Sequence, residues 1–172
     1  MRVNPLGDVR QGFTLIETLV VISIIAVLAA VGFAAWQPLL ARAEGASCLS
    51  HMRSLHTSLA TYVQETGHWP QEPETDSADI DADWWIQEMK PYGATEEVWL
   101  CPSIKRAQFV MPEKDRWRIH YSPGMFGPEP SDPYKFSTQP WLVEITDMHG
   151  HGPNVCFPDG SIRQLDDLML KK

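Results

Sequence analysis

Four groups of residues in this 172-residue chain are of types that do chemistry. The first is a lone carboxylate, Glu17, in a run from Phe13 to Trp36 that holds no other charge. An ionised side chain at the centre of a bilayer costs roughly 2.5–3.5 kcal/mol even on a lenient scale, so a carboxylate kept there has a partner or a task. The second group is Asp147, His149, His151 and Asp159. On an extended "DMHGH" the first three side chains share one face, and His with Asp holds zinc or a similar divalent ion. The competing reading pairs His149 with Asp159 to brace a hairpin. The third, "DIDAD" (Asp79, Asp81, Asp83), mimics the opening of a calcium loop. It lacks the glycine at the sixth position, where Trp84 stands, and the closing Glu, where Lys90 stands. The fourth is three cysteines, Cys48, Cys101 and Cys156, without CxxC spacing, so neither a zinc ribbon nor a thioredoxin-like motif is supported. There is no nucleophile elbow, no glycine-rich phosphate loop and no His-x-x-x-His helix, so the chain does not read as an enzyme.

The formal charge is −8, and between Glu72 and Glu97 Lys90 is the sole basic residue. That acidity argues against nucleic-acid binding, which needs basic patches. Phe13 to Trp36 has the length a helix needs to cross a membrane. Arg2 and Arg10 precede it, partly opposed by Asp8, and keep the N-terminus in the cytoplasm. Trp36 stands where an interfacial aromatic belongs. Three readings fit such a run. A cleaved signal peptide finds small residues in "AVLAAVGFAAW", but the run is long for it and carries Glu17. A plain anchor explains the length and not the carboxylate. A prepilin-type leader ending at Gly12 explains both.

The stretch "GFTLIETLVVISIIAVLAA" closely resembles the start of type IV pilins and type II secretion pseudopilins. The resemblance covers about the first thirty residues. It implies that prepilin peptidase cuts between Gly12 and Phe13 and methylates the new amine of Phe13. Glu17 becomes the fifth residue of the mature chain, and its carboxylate neutralises that amine, in its own chain or in a neighbouring subunit. Burying two opposite charges together costs far less than burying either alone. A second resemblance lies further on. Nine residues separate His149 from Asp159-Gly160, as in the H-X9-DG signature of a subset of these proteins. "CLSHMRSLHTSLATYVQETGHWP" and the later "CPS" are similar to that subset too. Cys48 and Cys101 are the candidate disulfide, tying helix to sheet in an oxidising compartment. Cys156 reads as a small buried residue.

These groups need elements to place them. Apolar residues recur at Cys48/Leu49, Met52, Leu55, Leu59 and Tyr62/Val63, the period of an amphipathic helix. Gly67 ends it and Pro70 prevents its resumption, while Pro38 kinks or locally breaks it. One helix is therefore expected from about Phe13 to Thr66. Its first half is apolar all round and must lie in lipid or among like helices. A short helix is expected over Trp84, Trp85, Ile86 and Met89. Strands are expected at Val98–Pro102, Arg116–Ser122, Trp141–Thr146, Asn154–Phe157 and Ser161–Leu165, with Asp159-Gly160 as a tight hairpin turn. Gln71–Asp83 and Gly124–Pro140 read as loops.

The expected architecture is α+β, a long N-terminal helix that spans the membrane in its first half and packs by its second half on a small antiparallel sheet. The divisions are leader 1–12, membrane or filament-core helix 13–36, amphipathic helix 37–66 and globular domain 67–172. The expected role is a structural subunit of a secretion pseudopilus or pilus-like filament. The resemblance implies as partners other pilin-like subunits, prepilin peptidase, an inner-membrane assembly platform and the membrane. It places the chain as single-pass in a bacterial inner membrane with its domain in the periplasm, and then in a filament. The alternatives are a minor tip subunit or anchored binding module using exposed Trp84, Trp85 and Trp117, and an anchored enzyme using a divalent metal at the His149 cluster.

Overall fold

The structure is a computed structural model, and its described residues are 13–73, 81–129, 132–148 and 152–169. It divides into two units, 1–40 and 41–172. Helix α1, Leu15–Thr66, begins in the first and continues into the second. Its start is two residues later than the expected Phe13.

In the first unit the apolar side chains of α1 face outward on every side, from Leu15 (82% exposed) to Phe33 (83%). By length and composition α1 is the one helix among the described residues able to cross a membrane. Pro38 stands inside α1 and does not end it. A proline there removes one N–H from the helical ladder, a cost of about 3 kcal/mol in an ordinary helix interior.

In the second unit α1 buries one stripe: Cys48, Met52, Leu55, Leu59, Tyr62 and Val63. These are the positions that the sequence periodicity selects. Gly67, at φ +80°, ends the helix, a conformation that costs glycine no steric penalty. The chain then places Trp69 in the core, where it meets Trp141 at 5.1 Å and Phe126 at 4.7 Å between ring centroids. Trp85 and Trp99 extend this aromatic layer.

Helix α2, Ala82–Met89, carries Trp85, Ile86 and Met89 on its buried side. Asp81 caps it by accepting a hydrogen bond from the Trp84 N–H at 3.0 Å. Helix α3 is Pro102–Gln108, α4 is Asp132–Lys135 and α5 is Leu165–Met169. Strands β1 (Tyr121–Pro123), β2 (Leu142–Glu144), β3 (Asn154–Cys156) and β4 (Ile162–Gln164) form an antiparallel meander in sequence order. The register sets Tyr121 opposite Glu144, Leu142 opposite Cys156 and Cys156 opposite Ile162. Alternation along each strand puts Tyr121, Leu142, Glu144 and Cys156 on one face, and all four are buried. The result is the expected α+β arrangement of a long helix and a small antiparallel sheet.

Three expectations are corrected. Val98–Pro102 is not a strand: Glu96–Trp99 is a 3-10 turn, and Pro102 opens α3. Proline lacks an N–H and has a fixed φ, so it suits a first helical position and not a ladder. Of Arg116–Ser122 only Tyr121 and Ser122 enter β1, and Arg116 ends another 3-10 turn. The segment Gly124–Pro140 contains α4 and is not wholly loop.

Leu55 is fully buried in the α1 stripe. Truncating such a side chain removes its transfer energy and leaves a cavity. Leu55→Ala is expected to destabilise the second unit by about 2–5 kcal/mol, read as a lowered denaturant midpoint by near-ultraviolet circular dichroism.

Candidate functional site

The first site is the start of α1. Thr14 precedes the helix, and its backbone N–H and its hydroxyl both donate to Glu17 Oε2 at 2.8 Å. In return the Glu17 N–H approaches Thr14 Oγ1 at 3.4 Å and the Thr14 carbonyl at 3.1 Å. This is a reciprocal capping box: the N-cap hydroxyl takes one orphan N–H, and the carboxylate three residues on takes another. Glu17 thus starts the helix as well as carrying a charge. The sequence reading missed Thr14, although Thr-x-x-Glu ahead of an apolar run is the capping-box signature. Both donors reach Oε2, and Oε1 has no hydrogen-bond partner among the described residues. Gly12 lies outside the described residues, and Phe13 is largely exposed.

The second site lies where α1 meets the sheet. Cys48 and Cys101 are joined by a disulfide, with Cα atoms 5.0 Å apart and a sequence separation of 53. Polar groups surround it. The Tyr121 hydroxyl donates to the Cys48 carbonyl at 3.2 Å, and His120 Nδ1 accepts the Cys101 N–H at 2.8 Å. Glu144 Oε2 accepts from the Asn154 N–H at 3.2 Å and from its side-chain amide at 2.7 Å. Cys48, Cys101 and Glu144 are the one cluster among the described residues with metal-ligand atoms close together. Its two sulfurs are bonded to each other, so they are not the thiolates that bind metals. Cys156 is fully buried in β3, and burial pushes its thiol up to about 12. At neutral pH it is a packed thiol and not a nucleophile.

Of the residues proposed for a metal, His149 and His151 lie outside the described residues. Asp159 sits in the β3–β4 turn and accepts the Ser161 N–H at 2.9 Å. Its carboxyl is held below the usual range by the hydrogen bonds from Ser161. Gly160, at φ +77°, places its Cα against His56: an added Cβ there comes within 3.3 Å of the imidazole. His56 Nε2 lies 3.1 Å from the Pro158 carbonyl, and its ring stacks on Trp141 at 4.9 Å. The Asp-Gly pair therefore docks the hairpin onto α1, with His56 as the receiving residue. Asp79 of "DIDAD" lies outside the described residues, and Asp81 is the helix cap described above. The aromatic patch is corrected: Trp85 is buried and Trp84 half-buried, while Trp117 is 47% exposed.

His120 is buried, and that burial lowers its pKa to about 4, outweighing the backbone hydrogen bonds with Cys101 and Trp117. The fold holds the neutral imidazole, so its contribution is complete above an unfolded-state pKa of about 6.5. Stability is lost as pH falls from there toward the folded pKa, and the loss levels off below it. The shift corresponds to about 3 kcal/mol. Urea titrations at pH 7 and pH 4.5 are expected to show this loss in the native chain, and a smaller one in His120→Gln.

The family described as the prokaryotic N-terminal methylation motif matches residues 8–33. The fimbrial protein EcpC of Eikenella corrodens is 35% identical over 65 residues, which is 38% of this chain and 42% of that one. The type IV major pilin protein PilE1 of Neisseria gonorrhoeae is 33% identical over 66 residues, 38% of this chain and 40% of that one. A fimbrial protein of Moraxella nonliquefaciens is 40% identical over 57 residues, 33% of this chain and 37% of its own. The chain thus spans about two fifths of the curated relatives it matches. No solved structure matches. With the methylation motif around Glu17, pilin relatives over its N-terminal part and a long helix followed by a small antiparallel sheet, the chain is similar to type IV pilins.

Proposed function

We propose that the protein is a structural subunit of a pilus-like filament or secretion pseudopilus, made as a membrane-anchored precursor. The observation that carries this reading is an apolar helix exposed on every side with one carboxylate, Glu17, at its start. Residues 13–36 occupy the bilayer first and a bundle of like helices afterwards. The exchange is feasible because both surroundings are apolar and α1 satisfies its own backbone hydrogen bonds. Arg2 and Arg10 hold the N-terminus in the cytoplasm, and the second unit lies outside it. Prepilin peptidase cuts after Gly12, and the Phe13 nitrogen then becomes a cationic amine. Glu17 Oε2 keeps the Thr14 cap while Oε1 faces the amine of its own chain or of a neighbour.

Glu17→Ala is expected to abolish filament formation, scored by shearing and electron microscopy, with the disulfide and the circular dichroism of the second unit unchanged. Glu17→Gln separates the two roles of the carboxylate. It keeps an acceptor for Thr14 and removes the charge, so it too is expected to fail in assembly. Normal filaments from Glu17→Gln would reduce Glu17 to a helix cap.

A further inference from the structure

We propose that the loop Phe109–Trp117 is a membrane-surface anchor, seated on the anionic lipid interface while the subunit resides in the bilayer. The proposal rests on the membrane-anchored reading above.

Three contacts between α1 and the segment around α3 form a ladder. His51 Nδ1 lies 3.0 Å from the Leu100 carbonyl. Cys48 is bonded to Cys101. Glu44 accepts from the Ser103 hydroxyl at 3.1 Å and pairs with Arg106 at 2.9 Å. As α1 is followed back from 51 to 48 to 44, the facing chain advances from 100 to 101 to 103 and 106. Helix α3 therefore runs against α1, toward the end of the second unit where residue 41 enters. That end is tethered to the apolar run, since only five residues, 37–41, follow Trp36 up to the entry of this unit. Continuing along α3, the chain turns at Phe109–Met111.

The turn exposes large apolar side chains where a soluble domain normally shows polar ones. Phe109 is 77% exposed, Val110 88% and Trp117 47%, with Met111 beside them. Its backbone is prepared for a less polar surrounding. The Arg116 guanidinium donates to the Phe109 and Met111 carbonyls, at 3.1 and 3.0 Å. The Met111 N–H donates to the Gln108 carbonyl at 2.9 Å, and the Trp117 N–H to the Gln108 side chain at 3.1 Å. A loop with its carbonyls satisfied loses less on leaving water. Residues 105–118 hold five Lys and Arg against two Asp and Glu, in a chain whose totals are 14 against 22. Arg106 and Arg118 are engaged with Glu44, Asp83 and Glu96. Lys105, Lys114 and Arg116 stand beside the apolar tip, the mixture that seats protein segments at anionic lipid headgroups.

The test uses the full chain in vesicles of phosphatidylglycerol and phosphatidylcholine that carry a nitroxide lipid. A polarity-sensitive fluorophore is attached at Val110→Cys, at Ala46→Cys on the exposed part of α1, or at Val21→Cys in the apolar run. The proposal expects the Val110 probe to shift to the blue and to be quenched severalfold more than the Ala46 probe. It also expects that difference to shrink in pure phosphatidylcholine. Quenching at Val21 with none at Val110 beyond that at Ala46 leaves the anchor in place and overturns the proposal. No quenching at Val21 overturns the anchored reading and the proposal with it. A Val110 shift that follows protein density instead of the quencher assigns the loop to a second copy, and overturns the proposal as well.

Discussion

One helix has two halves that need different surroundings, and the rest of the structure follows from that conflict. Before Leu40, α1 exposes apolar side chains all round. From Cys48 to Val63 it shows a single stripe, and the second unit covers it. A helix apolar on every side cannot be shielded by one small domain on one side. Its first half must find lipid or other helices. Within the second unit the domain grips α1 through the disulfide at Cys48, the Tyr121 hydroxyl on the Cys48 carbonyl, and His56 under the β3–β4 turn.

Glu17 serves the same conflict at the other end. An apolar helix that starts without a cap leaves N–H groups bare, and in lipid no water is at hand to satisfy them. The Thr14–Glu17 box removes part of that cost. The carboxylate that closes the box is also the one charge of the run, which makes it available to a cation at the helix start. A helix cap and a charge partner need not compete, because a carboxylate accepts at both oxygens.

Much of this was legible in the sequence wherever one local pattern decided the outcome. The period from Cys48 to Val63 selected the buried stripe, Gly67 marked the end of α1, and Asp159-Gly160 marked the hairpin. Local patterns did not decide the outcome where distant residues overrode local propensity. Val98 to Cys101 has the apolar character of a strand, but Cys101 is tied to Cys48 and Pro102 starts a helix, so no strand partner is reached. Trp85 looked like surface aromatic material, yet α2 turns it into a layer with Trp69 and Trp99. His56 and His120 carried no local signal. Their roles exist only once α1, the Asp-Gly turn and Cys101 are brought together. Thr14 does carry a local signal, since Thr-x-x-Glu ahead of an apolar run is the capping-box pattern.

On the proposed function, Glu17 and the Gly12–Phe13 bond work together, the carboxylate meeting an amine that exists only after cleavage. Intact-mass analysis and N-terminal sequencing of the chain, produced with and without prepilin peptidase, test it most directly. The expected result is a mature chain beginning at Phe13, heavier by one methyl group, and only with the peptidase present. A mature chain that begins elsewhere, or one unchanged by the peptidase, contradicts it.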